Sequence, residues 1–121
     1  MLRSIGVGDS RPDMGEEGLQ IGTTRAILRV RIQGRVQGVG YRAWVEYQAH
    51  AAGLQGWVRN RQDGSVEALF AGPAGKVAEV VGLCRHGPPS AHVSAVLTEP
   101  ADKEQLKLRL LDENFSVLPT V

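Results

Sequence analysis

A glycine-rich stretch from Gly34 to Arg42 carries the residue types that could hold an anion. It reads Gly-Arg-Val-Gln-Gly-Val-Gly-Tyr-Arg, follows an alternating apolar segment and leads into a helical pattern. Its three glycines permit positive φ values and a close approach of the backbone to a ligand. Successive N–H groups in such a loop can converge on an anion, and the following helix adds its positive dipole end. The stretch therefore predicts a cradle for a phosphoryl group.

Arg42 strengthens this interpretation because it stands at the predicted start of the helix. A cation there opposes the helix dipole by roughly 0.3–1 kcal/mol, so its placement is favourable when an anion lies between the two. In the alternative interpretation, Gly38 and Gly40 only shape a tight strand-to-helix connection and Arg42 is solvated. The spacing matches neither G-x-G-x-x-G nor G-x-x-x-x-G-K-[ST], so neither common nucleotide fingerprint is present.

The composition limits the classes of protein to consider. The chain has 121 residues, 42% of them hydrophobic and 22% charged, which fits one globular domain with its own core. A net charge of +1 argues against a protein that works on nucleic acid or anionic membranes. The single cysteine, Cys84, cannot form an internal disulfide, which favours the cytoplasm.

Several other classes of site and segment are not indicated. No run approaches 18 apolar residues, and no secretory apolar region stands near the N-terminus. The histidines, His50, His86 and His92, are scattered, and no Cys, His and carboxylate cluster has metal-ligand spacing. We therefore expect neither a metal site nor a cofactor.

The first part of the chain differs from the rest. Residues 1–24 contain few large apolar side chains, and two arginines against four acids give this part a charge of −2. We interpret them as a flexible tail that precedes one domain over residues 25–121. Met14 is an alternative start of translation.

Two periodicities alternate along the domain. Alternating apolar residues predict strands, and apolar residues at i, i+3, i+4 and i+7 predict helices. The strands are predicted at Arg25–Gln33, Leu54–Arg61, Ser65–Ala71, His92–Thr98 and, as a short edge strand, Phe115–Val117; the helices are predicted at Arg42–Ala52 and between Pro73 and Gly87. Asp63-Gly64 is a hairpin turn signal. Cys84 falls on the apolar stripe of the second helix, and we expect the connection over 99–114 to be polar and mobile.

The element order β-α-β-β-α-β predicts an α+β fold, the ferredoxin-like split β-α-β sandwich (βαββαβ) with an antiparallel sheet and two helices on one face. In that topology, the end of the second strand and the glycine-rich loop lie at the same edge of the sheet. Asn60 is the polar residue at that end, and it shares a face with Val58. We expect its amide to point toward the start of the first helix, although it could instead cap the hairpin.

Two segments resemble the signatures of the acylphosphatase family. Gly34–Arg42 is similar to the first, and Gly56-Trp57-Val58-Arg59-Asn60-Arg61-Gln62-Asp63-Gly64-Ser65-Val66-Glu67 is similar to the second. The similarity covers roughly residues 25–99 and extends to about residue 118 through a C-terminal strand that fits less well. Neither Arg42 nor Asn60 departs from the family pattern.

The resemblance implies an acylphosphatase that hydrolyses the carboxyl–phosphate bond of small acyl phosphates without metal or cofactor. Arg42 would bind the phosphoryl oxygens, Asn60 would hold the attacking water, and inorganic phosphate would be both product and inhibitor. Backbone amides of the loop would also bind the phosphoryl group, from Val36, Gln37, Gly38, Val39, Gly40 and Tyr41. A carboxylate is a good leaving group, so the reaction needs no strong general acid.

Two other functions fit the same pattern. A non-catalytic ferredoxin-like module could bind a protein partner or RNA, although the aromatic pattern of RNA-binding domains is missing. The residues for such a surface would be Trp57, Arg29, Arg31 and Arg59. Alternatively, the domain could act in trans within a larger maturation or carrier system. We expect a cytoplasmic monomer that acts on a small molecule and binds neither nucleic acid nor membranes.

Overall fold

The alternating segment that begins at Arg25 forms the first strand of a five-stranded sheet in the computed structural model, which describes residues 24–110 and 112–121. Apart from Thr24, the predicted tail over residues 1–24 lies outside the described residues. The elements in chain order are β1 (Arg25–Arg35), α1 (Tyr41–Ala51), β2 (Gln55–Asn60), β3 (Val66–Pro73), α2 (Ala74–Cys84), β4 (His92–Pro100), α3 (Lys103–Leu106) and β5 (Phe115–Val117).

The strands lie in the order β4-β1-β3-β2-β5. The β4–β1, β1–β3 and β3–β2 pairs are antiparallel, so the ferredoxin-like core of the prediction is confirmed. The edge strand β5 also forms where it was predicted, but it pairs in parallel with β2. It does so because β4 ends at the same end of the sheet at which β2 begins. The connection therefore crosses to the other edge at this end of the sheet, and β5 starts there and runs antiparallel to β4 and parallel to β2.

The main core lies between the sheet and the two long helices. Val45 and Ala49 of α1, and Val77 and Val80 of α2, are buried against strand residues on this face, as the helical periodicity predicts. Gly53 ends α1: its N–H donates to the carbonyl of His50, the next N–H donates to the carbonyl of Ala49, and its φ is 70°. This arrangement is a Schellman cap, which satisfies carbonyls at the end of the helix.

Cys84 belongs to the same core and is fully buried. Burial raises the pKa of its thiol to about 12. Because only the thiolate is a good nucleophile, Cys84 is a small apolar side chain of the core, as its place on the helical stripe indicates.

The connection over 99–114 differs from its prediction. It includes α3, which begins with a capping box between Asp102 and Gln105. The indole Nε1 of Trp57 donates to the carbonyl of Gln105 at 2.8 Å, and Leu106 packs against the cluster that Trp57 forms on the sheet. The expectation of a polar, mobile connection is therefore wrong for this part. The connection has to cross the sheet face opposite the long helices, and Trp57 supplies an apolar surface there.

Glu67 lies at the centre of this second face and is 2% exposed. Its carboxylate accepts hydrogen bonds from the guanidinium groups of Arg29, Arg59 and Arg61. Burial raises the pKa of Glu67, but these hydrogen bonds outweigh that effect and hold the pKa below its ordinary value. Because Arg59 and Arg61 are held on this face, Asn60 between them faces the helices.

Within the described part of the chain, no helix is long and apolar enough to cross a membrane. The same part contains no group of three or more His, Cys, Asp or Glu side chains that could hold a metal ion.

The lowered pKa of Glu67 predicts a pH-dependent contribution to stability. That contribution is present above the pKa of the unfolded state and is lost as pH falls through the lowered pKa of the folded state. We expect Glu67→Gln to reduce the free energy of unfolding at neutral pH by about 3 kcal/mol, since it removes the partner of three arginines. Urea denaturation of the wild type and the variant should show this difference in unfolding free energy shrinking as pH falls below the ordinary pKa of a glutamate.

Glu99→Gln is the matched control, because Glu99 is 59% exposed and pairs only with Arg29 among the described residues. We expect a loss below about 1 kcal/mol for this exposed pair. If the difference in unfolding free energy between Glu67→Gln and the wild type were the same at neutral and acidic pH, the ionised Glu67 carboxylate would not be the source of this stability.

Candidate active site

The loop between β1 and α1 has the backbone geometry that its glycines indicate. Gly38 has a φ of 74°, and Gly40, the N-cap residue of α1, has a φ of 80°. Side chains of L-residues are strained in this left-handed region, whereas glycine adopts it freely. The prediction that these glycines provide positive φ values is confirmed. They turn the chain from the end of β1 into the first turn of the helix.

The backbone N–H groups of this loop make no close, well-aligned hydrogen bond within the described residues. Among the described residues, no backbone or side-chain acceptor is recorded for the N–H groups from Gln37 to Arg42, and no side chain caps α1. The first internal bond of the helix joins the N–H of Trp44 to the carbonyl of Gly40 at 3.0 Å. The first turn of α1 also contains no acidic residue. A run of free donors at a helix start is the arrangement that binds anions.

Two buried side chains anchor the loop at its ends. Val36 and Tyr41 are each 1% exposed and belong to the main core. The hydroxyl of Tyr41 donates to the carbonyl of Cys84 in α2, and its ring lies 5.4 Å from that of Trp44. Burial raises the pKa of Tyr41 well above its ordinary value, so the phenol stays protonated. Tyr41 and Trp44 are thus packing residues. The buried side chains of Val36 and Tyr41 fix where the loop begins and ends.

Asn60 is the last residue of β2 and pairs with Val66. It shares the helix-facing side with Val58, which is fully buried in the main core, so the predicted orientation of Asn60 is confirmed. Within the described structure, no hydrogen bond of its side chain is recorded. Asp63 stabilises the hairpin instead, because its Oδ1 accepts from both the N–H and the hydroxyl of Ser65. The alternative in which Asn60 caps the hairpin is therefore not observed.

One cavity of about 390 Å³ brings these parts together. Arg42 and Asn60 both line it, although they lie on different elements. The other lining residues are Val36, Gln37, Gly38, Gly40, Tyr41, Ala43, Glu46 and Val117. Of the predicted loop residues, only Val39 is not part of the lining. Within the described residues, no ion pair is recorded for Arg42.

Two features of the cavity were missed from the sequence. Glu46 lies one helical turn after Arg42, and Val117 comes from β5. Glu46 could have been found, because a residue four positions after Arg42 on a helix shares its face. Val117 could not, since its place depends on the pairing of β5 with β2.

The side chain of Gln37 has a third unpredicted role. Its Nε2 donates to the carbonyl of Arg61 at 2.7 Å and to that of Ser65 at 2.8 Å. These hydrogen bonds connect the glycine-rich loop to the hairpin between β2 and β3. No local sequence signal points to them, because the two partners are backbone atoms.

A larger cavity, of about 510 Å³, lies at the opposite end of the sheet. It is lined by the first residues of β1, by Gln55 and by α3 with the residues that follow it, including Lys103 and Arg109. None of the unpaired loop amides reaches it, and neither does Asn60. The smaller cavity is therefore the better candidate for chemistry.

The proposed RNA-binding surface is not available in the structure. Trp57 is 1% exposed and covered by α3, so its ring cannot stack on a base. Arg29 and Arg59 are both bound to Glu67. Both guanidinium groups are thus engaged with a buried carboxylate of the sheet face.

The chain is similar to known proteins over most of its length. The acylphosphatase family model matches residues 28–116, most of the chain. An acylphosphatase of Bradyrhizobium diazoefficiens is 68% identical over 98 residues, which cover 81% of this chain and 99% of that protein.

Solved structures of the same family have the same fold. An acylphosphatase from Coxiella burnetii is 30% identical with a TM-score of 0.68, and the match covers 83% of this chain and 99% of that one. The acylphosphatase from Bacillus subtilis is 32% identical with a TM-score of 0.66 and coverages of 78% and 99%. The matched region contains the glycine-rich loop, Arg42 and Asn60. This chain belongs to the acylphosphatase family.

Proposed function

We propose that the protein hydrolyses the carboxyl–phosphate bond of small acyl phosphates at the cavity between the β1–α1 loop and the end of β2. Arg42 and the loop amides bind the phosphoryl group, and Asn60 orients the attacking water. The observation that carries this proposal is that Arg42, the loop and Asn60 line one cavity. The names of the related proteins support the same activity.

The electrostatics of the loop suit phosphoryl transfer. The transition state is loose, with charge spread over the phosphoryl oxygens, so positioning and preorganised donors supply most of the rate. The run of free N–H groups from Gln37 to Arg42 provides such donors without an ionisable side chain. The planar guanidinium of Arg42 can bind two phosphoryl oxygens at once. An anion between them also removes the unfavourable interaction of Arg42 with the helix dipole.

The other half of the reaction needs a held water and a good leaving group. A side-chain amide both donates and accepts hydrogen bonds, so Asn60 can hold a water beside the phosphorus. The departing carboxylate is stable without protonation, so no histidine or carboxylate pair is required at the site. A site without a general acid favours acyl phosphates over phosphomonoesters, whose alkoxide leaving groups must be protonated as they depart.

We further infer that the protein works as a cytoplasmic monomer on a small molecule, and that phosphate is both product and inhibitor. Cys84 is a buried thiol, which is compatible with a reducing compartment.

The proposal predicts that catalysis needs no metal ion. We expect benzoyl phosphate hydrolysis at an unchanged rate in excess chelator, because loop amides and Arg42 do the work that Mg²⁺ does elsewhere. Inorganic phosphate should inhibit competitively in the same assay. Loss of activity with chelator, restored by adding a divalent metal, would contradict this part of the proposal.

Arg42→Gln should weaken phosphate binding by roughly 10²-fold or more, because it removes the charged donor of the cradle. NMR titration with inorganic phosphate measures this affinity, with the loop amides as reporters. Lys76→Gln removes the same charge from an exposed position of α2 and should leave the affinity unchanged. Loop resonances of the wild type that do not shift with phosphate would exclude the cradle.

Asn60→Ala should lower kcat on benzoyl phosphate by roughly 10²-fold or more while leaving phosphate affinity nearly intact, because it removes the holder of the water and not the cradle. Steady-state kinetics combined with the phosphate titration separates the two effects. Asn114→Ala, at an exposed asparagine before β5, is the matched control. Turnover by Asn60→Ala at the wild-type rate would refute the assigned role.

A further inference from the structure

The side chain of Gln37 connects the two halves of the candidate site. The loop that contains it binds the phosphoryl group in the proposed function, and Asn60 stands on the separate strand β2. The Nε2 of Gln37 donates to the carbonyl of Arg61, the residue directly after Asn60, at 2.7 Å. It also donates to the carbonyl of Ser65 at 2.8 Å, on the returning side of the hairpin.

We propose that Gln37 is a positioning residue that holds the hairpin against the loop so that Asn60 faces the bound phosphoryl group. This inference rests on the proposed function and deepens it, because the family comparison assigns no role to this side chain. Gln37 acts through Asn60 and does not itself carry out a chemical step.

The hydrogen bonds around the turn support this role. The N–H of Arg61 donates to Ser65 at 2.9 Å, and the N–H of Gly64 donates to Arg61 at 3.0 Å. The two carbonyls that Gln37 binds are therefore the carbonyls that close the turn. In the described structure no hydrogen bond holds the Asn60 side chain itself, so its position follows from the strand end that carries it. Glu67 fixes Arg61 from the opposite face of the sheet.

Glutamine is well suited to this contact. One side-chain nitrogen with two N–H groups can serve two carbonyls at once, whereas a carboxylate only accepts hydrogen bonds. Gln37 is half-buried, so losing its amide would leave both carbonyls with one hydrogen bond fewer. The strand end would then be free to move relative to the loop. A displacement of about 1 Å in a positioning group can reduce the rate 10²-fold.

A double-mutant cycle tests the inference with four proteins: the wild type, Gln37→Ala, Asn60→Ala and the double variant. On benzoyl phosphate, Gln37→Ala should reduce kcat on the order of 10–100-fold and leave the Kd for inorganic phosphate within about twofold. In the Asn60→Ala background, the same substitution should change kcat by less than about twofold, because Gln37 acts through Asn60.

The control is Gln62→Ala, which removes an exposed amide from the same hairpin. Its kcat should equal that of the wild type. Gln37→Met, which keeps the length of the side chain but has no N–H donor and adds no charge, should behave like Gln37→Ala. Thermal unfolding of each variant confirms that the protein measured is folded. Independent, multiplicative effects of Gln37→Ala and Asn60→Ala, or a wild-type kcat for Gln37→Ala, would overturn the inference.

A second measurement separates this inference from the proposed function. Hydrogen exchange of the Arg61 amide, which donates to Ser65, should become about tenfold faster in Gln37→Ala and remain unchanged in Gln62→Ala. If the wild type failed to hydrolyse benzoyl phosphate, the proposed function would fail, and this exchange rate would still report on the contact. Unchanged exchange in Gln37→Ala would show that Gln37 does not hold the hairpin.

Discussion

The unpaired backbone donors between β1 and α1 are the constraint on which the rest of the structure depends. From Gln37 to Arg42 the N–H groups have no recorded acceptor in the described part of the chain, and Arg42 adds a cation at the end of the helix where a cation is least favourable. Without an anion, these exposed N–H groups are left to water, and the interaction of Arg42 with the helix dipole is unfavourable. The arrangement persists because Val36 and Tyr41 are buried on either side of it, which fixes the loop through the core. An anion that fills the cradle then stabilises the folded state by mass action.

The second face of the sheet determines where the other half of the site lies. Neighbouring residues of a strand point to opposite faces, so the orientation of Asn60 is set by Arg59 and Arg61. Both are bound to the buried carboxylate of Glu67. A buried ion cluster is weak evidence for high stability, because its desolvation offsets much of the attraction. Its effect here is on register: a shift of β2 by one residue would separate these arginines from Glu67 and turn Asn60 away from the loop.

The sequence predicts the parts of the fold that depend on local periodicity. The strands around Val30 and Val66 and the apolar stripes of the helices show short-range periodicity, and Asp63-Gly64 is a local turn signal. The edge of the sheet at which Asn60 meets the loop follows from the topology. What it does not predict depends on distant partners. The order of β5 beside β2, the cover of Trp57 by Gln105 and the contact of Gln37 with Arg61 each join segments more than 20 residues apart. All three use backbone acceptors, which every residue carries, so no residue type marks them.

The phosphate-binding loop and the strand that carries Asn60 come from different parts of the chain, so substitutions can alter one without the other. In the proposed function, phosphate binding comes from one continuous loop and its helix start, so it is encoded by a short stretch and depends on glycine geometry at Gly38 and Gly40. Water positioning would come from a strand whose place is set by its neighbours on both faces. Gln37 belongs to the first part by sequence and contacts the second through its side chain. In the role that we propose for it, Gln37 would control the distance between a bound phosphoryl group and its nucleophile, which is the quantity on which a loose phosphoryl transfer depends.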